Sequence, residues 1–177
     1  MGYSGFAAFV VFRAHVDSHA YSTPTCTDRQ PLESADLHSS RSRRGQYMGD
    51  LSVTSWNAQA LFATDMFRFE AKSSYVNKMM LKSDICLITE SHGSETSNST
   101  WRAPLGSTAW WSEGASHGQA GVGVIIRDSF LQQFTERPRW VHIWKGRAAK
   151  LCLRGPLGAL DIVVVYGHAG SHRAPVD

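Results

Sequence analysis

Between Leu51 and Gly93 the periodicity of the chain changes twice. Leu51, Val53 and Ser55 alternate with Ser52, Thr54 and Trp56, the two-residue period of a strand, and the run stops at Asn57. Thr64 and Asp65 then offer helix N-caps. From Met66 to Lys82 the residues Phe67, Phe69, Tyr75, Val76, Met79 and Met80 recur mostly at three- and four-residue steps, which predicts a helix, although the step from Phe69 to Tyr75 breaks the stripe. Ser83-Asp84 ends it. Ile85-Cys86-Leu87-Ile88 is apolar without a break, as expected of a strand buried on both faces, and the run closes at Thr89-Glu90.

Downstream, residues 94–107 are polar and include Pro104 and Gly106, which predicts a loop. Residues 108–112 make a short aromatic strand, and 113–119, with Gly114 and Gly118, a turn. Residues 120–127 form a strand in which glycine allows close backbone approach. Residues 140–144 and 148–154 are predicted to form a hairpin around Lys145-Gly146-Arg147. After a second turn at 155–158, residues 159–166 are the strongest strand of the chain. One crossover unit followed by antiparallel strands predicts an α/β sandwich with a mixed, mostly antiparallel sheet.

Upstream the picture differs. Residues 1–12 suit a strand or a short helix equally. From 14 to 49 Ser, Thr, His, Arg, Asp and Pro dominate, and such a segment cannot bury enough apolar surface to offset its ordering entropy. Residues 1–49 are therefore expected to be poorly ordered, and the ordered domain to begin near Asp50 and run through 50–177. The basic Arg41-Ser42-Arg43-Arg44 cluster is compatible with phosphate contact or a nuclear address, and a solvated linker explains it as simply.

Composition narrows the class. A chain of 177 residues with 42% hydrophobic and 11% aromatic residues can build one domain with a real core. Eighteen Lys and Arg against 15 Asp and Glu leave a formal +3, which permits a nucleic-acid partner without arguing for one. Cys26, Cys86 and Cys152 form no CxxC pair, so neither a zinc ribbon nor a thioredoxin-like motif is present, and free thiols in a reducing, intracellular compartment are expected. No apolar run approaches the ~20 residues of a membrane span. The apolar stretch from Phe6 to Phe12 is short and follows no Lys or Arg, so it is a poor signal peptide. Gly2 is followed by Phe6 where a myristoylation signal needs Ser or Thr. Nothing in the sequence specifies an oligomeric state.

Two strands joined by a helix are normally parallel neighbours ending at one sheet edge, where ligands of open α/β sheets bind. Asn57 ends the first strand and Glu90 the second. A carboxamide and a carboxylate there are two hard oxygen donors of the kind Mg²⁺ prefers. The plainer alternative is that Asn57 caps a loop and Glu90 points into solvent.

Trp56-Asn57, followed by Asp84-Ile85-Cys86-Leu87-Ile88-Thr89-Glu90, resembles the endonuclease/exonuclease/phosphatase superfamily, which includes DNase I-like nucleases, apurinic/apyrimidinic endonucleases and retrotransposon endonucleases. Ala120-Gly121-Val122-Gly123-Val124-Ile125-Ile126 is similar to its Gly-Gly-Val-Ala strand, Gly146-Arg147-Ala148-Ala149-Lys150-Leu151 to its Gly-Arg strand, and Leu160-Asp161-Ile162-Val163-Val164-Val165-Tyr166 to the strand ending in an active-site Tyr. Ser55-Trp56-Asn57-Ala58 and Glu90-Ser91-His92-Gly93 resemble the retroelement type most. The resemblance implies part of a four-layer α/β/β/α sandwich and hydrolysis of a phosphodiester with Mg²⁺ (or Mn²⁺). It implies a nucleic-acid partner, DNA before RNA; no membrane partner is expected, because no apolar run is long enough to span one. Asn57 and Glu90 would hold the metal, Tyr166 would contact the scissile phosphate, and Arg147 would stand near it.

The pattern also departs from the family's. Gly167-His168-Ala169 follows Tyr166 where the family has a Pro-Asn-like pair, and the Asp, Asn and His residues of the family's second half have no counterpart here. The resemblance therefore covers only the N-terminal half of such a domain, and weak or absent chemistry is expected of this chain alone. A non-catalytic remnant that binds nucleic acid or a partner, and a phosphoesterase acting on lipid or nucleotide phosphates, are the alternatives. Among the remaining candidates, His168 and His172 are expected in a disordered tail, and His92 and His117 in solvated loops. Trp110 and Trp111 are expected to pack rather than stack on bases.

Overall fold

The computed structural model describes residues 8–12, 46–114 and 120–167. In chain order its elements are β1 (Ala8–Phe12), β2 (Val53–Asn57), α1 (Met66–Met80), β3 (Ile85–Thr89), α2 (Glu95–Thr100), β4 (Ser107–Ser112), β5 (Val122–Arg127), α3 (Asp128–Leu131), β6 (Arg139–Trp144), β7 (Ala148–Gly155) and β8 (Gly158–Tyr166). They build two four-stranded sheets, ordered β1-β8-β7-β6 and β2-β3-β5-β4. The first is antiparallel throughout. The second is mixed: β2 and β3 run parallel, as a helical crossover requires, and the other neighbours are antiparallel.

The alternation of β7 and β8 explains how the sheets pack. Ala149, Leu151, Leu153, Leu160, Ile162 and Val164 point inward and meet Ile85, Leu87, Val122, Val124 and Ile126 of the mixed sheet in one core. The opposite face of the mixed sheet offers Cys86, Ile88 and Ile125 to Val76, Met79 and Met80 of α1, together with Ala58, Leu61 and Phe62. The result is a helix–sheet–sheet stack, an α/β sandwich of mixed and antiparallel sheets. No helix packs on the far face of β7 and β8 among the described residues. That face carries Lys150, Arg154 and Asp161, with Asp161 paired to Arg154 at 2.7 Å and to Lys150 at 3.3 Å.

Several local outcomes differ from the sequence pattern. The stretch read as a loop after Gly93 contains α2, whose capping box joins Ser94 to Ser97 rather than to the usual Glu or Gln. On α1, Phe67 is 84% exposed, whereas Val76, Met79, Met80 and the half-buried Phe69 face the core. Tyr47 lies in the polar stretch, yet it is buried. Its hydroxyl donates to Gln133 Oε1 at 2.6 Å, its ring meets Phe130 and Phe134, and its backbone N–H donates to Ala159 O at 3.1 Å. The described part of the domain thus starts ahead of Asp50. Residues 14–45, with Cys26 and the basic cluster, and His117, His168 and His172 lie outside the described residues. Cys86 and Cys152 are buried free thiols, and burial pushes Cys86 up to about 12. No helix among the described residues is long and apolar enough to cross a membrane.

Candidate active site at the carboxyl edge of the mixed sheet

The register that defines the site is pinned at the other end of the strands. Asp84 Oδ2 accepts from Ser52 N–H at 2.9 Å and from Ser52 Oγ at 2.7 Å, clamping the entry of β2 to that of β3. Burial pushes the Asp84 carboxyl up, but the Ser52 hydrogen bonds and the nearby Arg127 charge outweigh it and leave its pKa below the usual range. From that clamp the parallel register runs Val53 to Ile85 and ends with Asn57 beside Thr89. Glu90 is therefore the next residue along, at the same edge as Asn57.

Beyond the strands the loops remain stitched together. Ala58, Ala60 and Phe62 N–H groups donate to the carbonyls of Thr89, Glu90 and Ser91 at 2.9, 2.8 and 3.0 Å. On the other side Ser91 and His92 donate to Gly121 and Ala120, and Gly121 donates to Gly146. This stitching holds the backbone in unusual conformations. Among the described residues every non-glycine with a left-handed φ lies here: Gln59 (46°), Ala60 (73°), Glu90 (54°), His92 (55°) and Ala120 (54°). Each such residue costs on the order of 1–3 kcal/mol and persists only where its surroundings over-determine it, a signature that clusters at functional sites.

Glu90 does not point into solvent: it is 7% exposed. The Tyr166 hydroxyl, arriving from β8 of the other sheet, donates to Glu90 Oε1. Burial, the hydrogen bond to Glu90 and the Glu90 charge together push the phenol up to about 12, against an opposing pull from Arg147. The Arg147 guanidinium carbon lies 4.8 Å from the Tyr166 ring centroid, and Tyr166 N–H donates to Arg147 O at 2.7 Å. Arg147 is aimed by the tight β6–β7 turn. There Gly146 adopts a φ of 70°, and any Cβ would lie 2.4 Å from Gly114 Cα. Three of the four residues singled out from sequence thus form one contiguous group, Glu90–Tyr166–Arg147. Asn57 joins them at the edge, but its Oδ1 accepts from Gln59 N–H at 3.1 Å, so it does cap its own loop. A carboxamide oxygen keeps a second lone pair for another partner.

Sequence reasoning missed Lys72. Its Nζ donates to Ala58 O at 2.8 Å, to Gln59 O, and to Ala60 O at 2.9 Å. Burial, then the nearby Arg68 charge, lower its pKa, while Glu90 raises it. The signal was present: Lys72 lies on the stripe between Phe69 and Val76, where the apolar pattern broke. Trp110 packs against the inter-sheet core. Trp111 meets Phe62 and Trp101 edge-on at 5.1 and 5.2 Å, a packing role for both indoles.

No group of three or more His, Cys, Asp or Glu stands close enough to hold a metal among the described residues. The oxygen donors that this edge could offer a cation are one carboxylate, Glu90, and one carboxamide, Asn57. That chemistry suits Mg²⁺, which binds through one or two carboxylates while water and substrate oxygens complete its shell.

No family model and no curated protein matches the chain. Among solved structures, the crystal structure of the AP endonuclease LMAP from Leishmania major is similar at 16% identity with a TM-score of 0.46, over 58% of this chain and 35% of the Leishmania chain. The match thus spans about a third of that protein's length, and at this level of similarity it decides nothing about this chain's activity.

Proposed function

We propose that this chain carries part of a metal-dependent phosphodiesterase site acting on nucleic acid, DNA before RNA. The observation that carries the proposal is the buried Glu90 carboxylate, held at the end of β3 by the Tyr166 phenol with Arg147 over the phenol ring. The sequence blocks that resemble the endonuclease/exonuclease/phosphatase superfamily supply the substrate class. Glu90 and Asn57 are the residues that would hold Mg²⁺ or Mn²⁺. When bound, such an ion polarises a phosphoryl oxygen and stabilises the leaving oxyanion. Tyr166 keeps its proton through the neutral range, as an ordinary phenol does, and donates it to Glu90 Oε1, so that it orients the carboxylate. Arg147 brings a permanent positive charge to the position where a phosphate would sit.

Plasmid nicking in Mg²⁺ tests the proposal, with Glu90→Gln as the near-isosteric control. Wild type, which carries only part of such a site, should nick weakly, and the variant should lose that activity, since removing one electrostatic element costs about 100-fold or more. Wild-type protein that shows no Mg²⁺-dependent nicking refutes the catalytic reading. A second reading, nucleic-acid binding without cleavage, draws on the single carboxylate of the site and the lack of a three-ligand cluster among the described residues. It predicts a DNA mobility shift that Glu90→Gln leaves unchanged.

A further inference from the structure

Helix α1 faces the mixed sheet with Phe69, Val76, Met79 and Met80. Lys72 stands three residues after Phe69 and four before Val76, where an amphipathic helix presents an apolar side chain. Its ammonium instead donates to three successive carbonyls, those of Ala58, Gln59 and Ala60. Three carbonyls in a row converge on one point only if the backbone curls, and Gln59 and Ala60 supply the curl with their left-handed φ angles of 46° and 73°. An ammonium has three donors and no acceptor, so the three carbonyls match its capacity. The same loop leaves Asn57 directly and is tied on its other side to Glu90, whose carbonyl accepts from Ala60 N–H at 2.8 Å.

We infer that Lys72 is a positioning residue for the candidate site: by gathering the carbonyls of residues 58–60 it holds the left-handed loop that keeps Asn57 beside Glu90. The inference rests on the proposal that these two residues take a divalent cation. Charge and geometry here act in opposite directions, which makes the role testable. A lysine near the site repels a second cation, so a purely electrostatic role means that removing the charge tightens metal binding. A positioning role means that removing the ammonium loosens it. Arginine sharpens the contrast, because it keeps the charge but its planar fork cannot converge on three carbonyls as a tetrahedral ammonium does.

The experiment compares wild type, Lys72→Met and Lys72→Arg in the full chain, using Mn²⁺ binding by electron paramagnetic resonance and amide exchange by NMR. The Ala60 and Phe62 amides, which donate to Glu90 O and Ser91 O, should exchange at least tenfold faster in both variants. Amides of β7 and β8 should remain unchanged, which shows that the fold is intact. Mn²⁺ affinity should fall in both variants by about 10- to 100-fold, as it does when a group that orients metal ligands is removed. Unchanged protection of Ala60 and Phe62, or lost protection with unchanged Mn²⁺ affinity, overturns the inference. So does tighter Mn²⁺ binding in Lys72→Met with wild-type binding in Lys72→Arg. Wild-type protein that binds no Mn²⁺ defeats the metal-site proposal instead, and the role of Lys72 in holding the loop is then decided by amide exchange alone.

Discussion

Glu90 is 7% exposed and takes its side-chain hydrogen bond from a phenol, Tyr166. The partnership has a pH signature. The folded-state pKa of Tyr166 is raised to about 12 from its usual 10.0, first by burial and then by Glu90. A group whose pKa is raised on folding contributes stability that is complete below the unfolded value and lost as pH climbs through the folded one. Wild-type protein should therefore lose stability between pH 10 and pH 12, and Tyr166→Phe should show a shallower loss over that window in urea titrations. The same substitution at pH 7 leaves Glu90 without its donor and should cost about 1–3 kcal/mol. Parallel alkaline limbs for the two proteins would count against the Tyr166–Glu90 bond.

Among the elements, strands were more legible than helices. β2, β3, β5, β7 and β8 each show an unbroken alternation or a continuous apolar run, and each is where the sequence places it within a residue or two. The reason is physical: a strand buried on one or both faces must repeat that burial at every second residue. Helix α2 escaped because its cap uses Ser97 in place of Glu or Gln and none of its residues is buried, so no stripe marks it. On α1 the stripe was read through Phe67, which is exposed, because Lys72 and Ser73 fill the inward positions that would have marked the true face. Cross-strand chemistry also belongs to this scale. Asp161 on β8 pairs with Arg154 and Lys150 on β7, which outweigh burial and hold its carboxyl below the usual 3.8. A depressed carboxylate contributes stability that is present above its unfolded pKa and lost as pH falls through the folded one. Asp161→Asn should therefore destabilise the protein modestly at pH 7 and lose that difference below pH 3.8. Thermal melts from pH 7 to pH 2 check this, and a constant offset across the range would refute it.

At the scale of the whole molecule, a ligand for the native state alone should report on the site without any assay of activity. Binding to the folded form stabilises by RT ln(1 + [L]/Kd), about 1.4 kcal/mol at ten times Kd. Mg²⁺ should raise the Tm of wild type and leave that of Glu90→Gln unmoved; equal shifts would place the ion elsewhere. The two sheets matter here as a unit. Glu90 belongs to the mixed sheet and Tyr166 to the antiparallel one, 76 residues apart, and the packed core between the sheets sets their distance. β1 adds the last strand beside β8, so the strand that ends in Tyr166 is an interior strand with a partner on each side.

From residue order alone the periods, the turns and the places of Asn57 and Glu90 at two strand ends could be determined, because these are local properties set by spacing along a few residues; Arg147 and Tyr166 were singled out by the resemblance of short blocks to a known family. The parallel pairing of β2 with β3 also followed, because a helical crossover leaves few other topologies. Tertiary structure alone decided the rest. It buried Glu90, set the Tyr166 phenol on it from the facing sheet, and turned the Asn57 side-chain oxygen to its own loop. It recruited Tyr47 into the core from a polar stretch, and it turned Lys72 from a flaw in an apolar stripe into a donor to the carbonyls of Ala58, Gln59 and Ala60. These outcomes depend on contacts between residues distant in sequence, whose energies no local period encodes.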